Sequence, residues 1–274
     1  MFLMSLMSLV QAQRHRGRIP MPSYKRAALA RPIRSGVWLV RKELFLLVLC
    51  GLVAAGIWAF AELADEVIEG STQDIDRALV LMMRNPQDPA DPIGPHWVEE
   101  MGRDFTALGG VGLQMVLTAV VIGALAIARK RNAAILVLVA VLGGLAISMG
   151  LKEFFERPRP DLVPHGSHVY TSSFPSGHSM MSAVTYLTLG ALLSRLVPGR
   201  GLKMYFIAVA IALTVAVGVS RVYLGVHWPT DVLAGWSGGF AWAILCWTVT
   251  LLLQRRGAVE QEQETSEERN KWGQ

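Results

Sequence analysis

Cysteine is almost absent from this chain. There are two among 274 residues, Cys50 and Cys246, each inside a long apolar run. Two isolated thiols build neither a disulfide framework nor a thiolate metal site, so both read as small apolar packing residues. Charge is scarce too, at 17% of residues. Six stretches carry none: Leu44–Ala61 (18 residues), Phe105–Ala128 (24), Asn132–Leu151 (20), Ser179–Ser194 (16), Met204–Ser220 (17) and Val232–Gln254 (23). A hydrocarbon layer of about 30 Å takes roughly 20 helical residues to cross. The runs therefore predict an all-α polytopic membrane protein with six transmembrane helices, the two shortest completed by flanking residues at the interface. Buried core helices of a large soluble protein fit these run lengths poorly. Internal repeats and a second domain are also missing. The start, MFLMSLMSLV, is apolar but has no basic stretch before it, so it does not read as a cleaved signal. Met21 is an alternative start.

What charge there is lies unevenly. The first 43 residues hold nine Lys/Arg, and further basic clusters stand at Arg129–Arg131, at Arg195, Arg200 and Lys203, and at Arg255–Arg256. The segment 62–104 instead carries eleven acids against Arg77, Arg84 and Arg103. The positive-inside bias predicts both termini in the cytoplasm and the segments 62–104, 152–178 and 220–231 outside. Three parts follow: a basic cytoplasmic arm (1–43), a six-helix membrane domain (44–254) and a polar cytoplasmic tail (255–274). Within the domain, 62–104 reads as an outer loop with an amphipathic interfacial helix near Asp65–Arg84, followed by the helix-breaking NPQDPADPIGP. An arm lying on anionic lipid accounts for the N-terminal charge without a nucleic-acid partner.

Three short pieces stand at the outer ends of the third, fourth and sixth runs. KEFFERPRP supplies Lys152 and Arg159, the latter held extended between Pro158 and Pro160. Taken alone, both cations could simply snorkel to the interface. Yet four of the seven outside Lys/Arg (Lys152, Arg157, Arg159, Arg221) sit in these pieces, against the charge bias, which suggests an anionic ligand. PSGH places Ser176 and Gly177 at a helix start, where free N–H groups and the helix dipole favour an anion. An ordinary serine cap is the plainer alternative. Gly177 allows close backbone approach, and His178 in the first turn can reach a bound group. SRVYLGVHWPTD supplies Arg221, His227 and Asp231, with Pro229 suited to a first helical turn. Asp231 could serve only the helix dipole. It could also turn back onto His227, fixing the imidazole tautomer and leaving the other nitrogen free to attack. Two histidines, a carboxylate and three cations on one membrane face suit phosphate binding and attack on phosphorus.

These pieces resemble the signature of the type 2 phosphatidic acid phosphatase family, whose core is similar to that of vanadium haloperoxidases and glucose-6-phosphatase. Lys152, Arg159, Pro160, Pro175, Ser176, Gly177, His178, Ser220, Arg221, His227 and Asp231 all match, as do the gaps of six residues after Lys152 and five after Arg221. The motifs cover 152–231, and the six-run layout extends the resemblance to 44–254. The resemblance implies that His227 attacks phosphorus to form a phosphohistidine, that Asp231 orients it, and that His178 protonates the leaving oxygen. It implies that Lys152, Arg159, Arg221, Ser176 and the Gly177 N–H bind the phosphoryl oxygens. The expected activity is a lipid phosphate or diphosphate phosphatase of a cell inner membrane with its site facing outward. Its substrates would be of the undecaprenyl diphosphate, phosphatidylglycerol phosphate or phosphatidic acid class. Three cations can stabilise the spread charge, so neither a metal nor a cofactor is expected. A phosphotransferase using the same phosphohistidine is the alternative. A vanadate-dependent haloperoxidase, which would use the same anion cage, sits poorly with six spans. A non-catalytic lipid-binding or transport protein would not need the acid, the nucleophile and its orienting carboxylate together.

Overall fold

The computed structural model describes residues 31–162 and 172–255, with side chains between residues 43 and 254 of those ranges. In chain order its elements are α1 (Arg31–Glu69), α2 (Gln73–Leu81), β1 (Arg84–Asn85), β2 (Asp88–Pro92), α3 (His96–Leu108), α4 (Val111–Ile127), α5 (Arg131–Phe155), α6 (Gly177–Leu196), α7 (Arg200–Tyr223) and α8 (Pro229–Arg255). Contacts divide the chain into Met1–Phe45 and Leu46–Gln274. In the first unit the expected basic arm lies outside the described residues up to residue 30, and from Arg31 the chain is helical. The polar tail lies outside them beyond Arg255.

Among the described residues, four stretches are long and apolar enough to cross a membrane: Glu43–Glu69, Arg131–Phe155, Arg200–Tyr223 and Pro229–Gln254. A fifth arises if α3 and α4, bent by 51°, count as one span. The sequence expectation of six differs at two places. The run Phe105–Ala128 is broken at Gly109–Gly110, and the Leu108 carbonyl at the break accepts from Gln114 Nε2 (3.1 Å) and Tyr186 Oη (2.7 Å). Away from water such a carbonyl needs a partner within the protein, and these two supply it. The run Ser179–Ser194 does become a helix, but Ser179, Ser182, Thr185 and Thr188 are all buried in it. Those hydroxyls lower its hydropathy because α6 faces other helices more than lipid.

The core surrounds α6. Met181 packs with Val137 and Val141 of α5 and Leu125 of α4. Val184 packs with Leu136, Ala140 and Cys246. Tyr186 packs with Ala210 and Val217 of α7. Backbones approach closely between α6 and α8. A Cβ at Gly235 would lie 2.7 Å from Ser176 O, and one at Gly239 would lie 2.5 Å from Met180 O. Glycines four residues apart on one helix face permit this contact. It sets the start of α6 directly against the first turns of α8. Cys246 is buried, as packing residues are, but Cys50 is exposed on α1.

The acidic segment departs most from its sequence reading. α1 runs on through Glu69, so the amphipathic helix expected over Asp65–Arg84 is only α2. The Pro-rich stretch forms the β1–β2 pair, antiparallel, with Arg84 opposite Pro92. Ile75 and Leu79 are exposed on α2, and Met82 at its C-cap. Its other face buries Val80 with Val222 and Val232. It also buries Asp76, at 1% exposure.

Candidate active site

The three motifs meet because four antiparallel helix ends meet. Lys152 lies in the last turn of α5, Arg221 in the last turn of α7, and Asp231 in the first turn of α8. Ser176 caps α6 and Gly177 opens it. The local chemistry accounts for each end. Glu156 adopts a left-handed conformation (φ 44°) that stops α5, and the RPRP segment then has no regular secondary structure. Ser176 accepts from the Ser179 N–H at 3.5 Å and from Ser179 Oγ at 2.9 Å. Pro229 begins α8. The Ser176 N–H donates to Asp231 O at 2.9 Å, tying the second motif to the third.

His227 and Asp231 are 1% and 0% exposed. His227 Nδ1 lies 3.3 Å from Asp231 Oδ2, and Nε2 lies 3.1 Å from Arg159 Nη1. A guanidinium only donates, so Nε2 is the accepting nitrogen and the ring proton sits on Nδ1, facing the carboxylate. Asp231 Oδ2 also accepts from Ser173 Oγ (2.5 Å) and Trp228 N (2.9 Å), while Oδ1 accepts from Arg157 Nη1 (2.6 Å). Burial depresses the His227 pKa to about 3; Asp231 opposes the shift, and Arg221 and Arg159 add to it. The imidazole is therefore neutral at ordinary pH. Burial also lowers Arg159, though an arginine stays charged from so high a starting value.

Lys152 and Arg221 interact electrostatically with Arg159, the cation at Nε2. Arg159 Nη1 donates to Val226 O at 2.8 Å, and Lys152 Nζ donates to Ser172 O at 2.7 Å. A Cβ on Gly177 would stand 3.3 Å from Lys152 Cε, so the glycine leaves that ammonium its room. Arg221 Nη1 donates to Thr106 Oγ1 of α3 at 2.9 Å, and its buried Nε has no hydrogen-bond partner among the described residues. His178 interacts electrostatically with Arg221, His227, Lys152 and Arg159. The break between α3 and α4 lies beside it: a Cβ on Gly109 would be 3.1 Å from His178 Cβ. All eight residues singled out from the sequence are thus gathered at one end of α5–α8. Sequence reasoning missed the residues that hold them: Asp76, Arg157, Ser173, Thr230 and Thr106. Only Arg157 left a trace, as a cation on the acidic side of the chain.

Proteins similar to this chain carry phosphatase names. The family model of the PAP2 superfamily matches residues 132–255, which contain all three motifs. Phosphatidylglycerophosphatase B of Bacillus subtilis is 34% identical over 181 residues, covering 65% of this chain and 83% of that protein. The putative undecaprenyl-diphosphatase YbjG of Escherichia coli is 30% identical over 145 residues, covering 52% and 67%. The crystal structure of a transmembrane PAP2-type phosphatidylglycerolphosphate phosphatase from Bacillus subtilis aligns with a TM-score of 0.65 at 30% identity. That alignment covers 74% of this chain and 98% of the crystallised one. On the motifs, the helical frame and these likenesses together, the chain is a phosphoric ester hydrolase and belongs to the PAP2 superfamily.

Proposed function

We propose that this protein hydrolyses the phosphomonoester or diphosphate headgroup of a membrane lipid through a phosphohistidine on His227, at the outer face of a cell inner membrane. The observation that carries the reading is the pairing of His227, with Nδ1 on Asp231 and Nε2 on the Arg159 guanidinium. In this reading Lys152, Arg159, Arg221, Ser176 Oγ and the Gly177 N–H hold the phosphoryl oxygens. Arg159 Nη1 turns from Nε2 to one of those oxygens as phosphorus takes its place. The Nε2–P bond forms as the P–O bond to the lipid breaks, and His178 gives its proton to the leaving oxygen. Water then attacks phosphorus, passes a proton back to His178, and releases inorganic phosphate and free His227. A full charge pair at about 4 Å contributes roughly 4 kcal/mol at an effective dielectric of 20, before desolvation. Three cations on one phosphoryl group are therefore strong enough to stabilise its transition state.

A lipid is the favoured substrate because the site stands at the ends of apolar helices, level with headgroups. The names of the two relatives specify phosphatidylglycerophosphate and undecaprenyl diphosphate for those proteins. Both belong with phosphatidic acid to the class expected here. The test is phosphate release by purified protein in detergent, across a panel of lipid mono- and diphosphates with EDTA present. Release from at least one lipid, undiminished by the chelator, is expected. No release from any of them, or full dependence on added metal, refutes the reading.

Six spans complete the proposal. α6 has 20 residues, enough for about 30 Å at 1.5 Å per residue. Together with the bent α3–α4 pair it raises the four apolar helices to six, which returns both termini to the cytoplasmic side. Arg131, Arg200 and Arg255 then lie at the ends away from the motifs, as the positive-inside bias requires. Single cysteines in a background lacking Cys50 and Cys246 check this. Ala90→Cys, exposed on β2, is expected to react with an impermeant maleimide in cells whose outer membrane alone is permeabilised. Gly201→Cys, where a side chain meets nothing within 4 Å, is expected to react only once the inner membrane is opened. The reverse pattern would invert the topology and leave the chemistry standing.

A further inference from the structure

We infer that Arg157 and Asp76 are a positioning pair for the nucleophile. Through them the outer helix α2 fixes the carboxylate that orients His227. The inference rests on His227 being the nucleophile.

Asp76 and Asp231 are 1% and 0% exposed, and the Arg157 side chain between them is 11% exposed. Arg157 Nη2 donates to Asp76 Oδ2 at 2.8 Å, and Nη1 donates to Asp231 Oδ1 at 2.6 Å. Thr230 closes the cluster. Its hydroxyl accepts from Arg157 Nη1 at 2.8 Å and donates to Asp76 Oδ2 at 2.6 Å. Its N–H donates to Asp76 Oδ1 at 3.0 Å. Both oxygens of Asp76 are thus engaged, one of them with a backbone N–H in the first turn of α8, the turn that carries Asp231.

A helix docked only to cover apolar surface has no use for a buried carboxylate. Its burial is costly unless it is paired and hydrogen-bonded. Asp76 lies one turn before Val80, so the same face of α2 brings both the apolar anchor and the charge to α8. The consequence falls on Asp231. With Oδ1 held by Arg157, the carboxylate cannot rotate, and Oδ2 is left for His227 Nδ1, Trp228 N and Ser173 Oγ. Both terminal nitrogens of Arg157 are committed to carboxylates and Thr230. It therefore acts through Asp231, in contrast to Lys152, Arg159 and Arg221, which the proposed reading places on the phosphate.

The experiment measures kcat, KM and rapid-quench phosphoenzyme formation for Asp76→Asn, Arg157→Gln, Arg157→Lys and the Asp76→Asn/Arg157→Gln double variant, on a lipid the unmutated protein hydrolyses. The burst amplitude counts competent sites, so a variant that merely folds poorly loses amplitude while the rate at each remaining site is unchanged. Expected instead is a fall in the rate per site of about 10- to 100-fold, the range seen for outer partners of site ligands. KM is expected to stay within about 3-fold, since ground-state phosphate contacts are untouched. Arg157→Lys should recover part of the loss, because lysine keeps the charge but cannot bridge two carboxylates in a fixed fork. The double variant should be no worse than the weaker single by more than about 3-fold, as for groups that act as a unit. A per-site rate unchanged in Asp76→Asn and Arg157→Gln, or a loss carried by KM or burst amplitude alone, overturns the inference. Turnover surviving in His227→Ala overturns instead the reading beneath it. A dead His227→Ala beside a normal Asp76→Asn removes the inference alone.

Discussion

His227→Ala is expected to abolish phosphate release, a loss of about four orders of magnitude or more, the scale at which a covalent nucleophile's removal is felt. No other imidazole in the described site pairs one nitrogen with a carboxylate and the other with a guanidinium. Rapid quenching of the unmutated protein with labelled lipid phosphate should trap an acid-labile, base-stable phosphoenzyme, and the variant should trap none. Substantial turnover by the variant would remove His227 from the mechanism. The same side chain leaves a mark on stability. Its pKa is about 3 in the folded protein against an ordinary 6.5, chiefly through burial. Between those values an unfolded chain binds a proton that the folded one refuses. The contribution is fully present above pH 6.5 and is lost as pH falls toward 3. Thermal unfolding in detergent should therefore weaken below pH 6.5, and less steeply in His227→Ala.

Asp231→Asn is expected to lower kcat by about 10³- to 10⁴-fold, the loss seen when an orienting carboxylate becomes an amide. Every oxygen of Asp231 accepts from a donor: Arg157 on Oδ1, and Ser173, Trp228 and His227 on Oδ2. An amide must turn its NH2 toward one of these sets, where donor faces donor. If it faces His227, the ring proton moves to Nε2 and the attacking lone pair is lost. Lys152, Arg159 and Arg221 are untouched, so KM should change little. A measured kcat within about tenfold of the unmutated protein would leave Asp231 with only its helix-dipole role. A large rise in KM at constant kcat would make it a binding residue.

Much of this site was legible in the sequence because its signals are local. Lipid imposes apolarity on any helix that faces it, so uncharged runs mark α1, α5, α7 and α8. His227 and Asp231 are four residues apart around a proline that begins a helix, and Ser176 stands before a helix start, where a hydroxyl caps. Each arrangement is settled within a few residues of chain. The same rules do not register that α6 buries its hydroxyls, or that the run through Gly109–Gly110 breaks where Gln114 and Tyr186 stabilise the break.

The sequence by itself determined four long apolar helices and the motif residues that gather at one end of α5–α8. Tertiary structure alone decided what holds that site still. The Arg157–Asp76 bond joins residues 81 apart, and Arg221 finds Thr106 across 115. A buried carboxylate or guanidinium is tolerated only where packing delivers a partner within hydrogen-bond distance. No local spacing encodes which partner that is. It follows from α2 docking through Val80, and from the glycines that let α6 and α8 touch backbone to backbone.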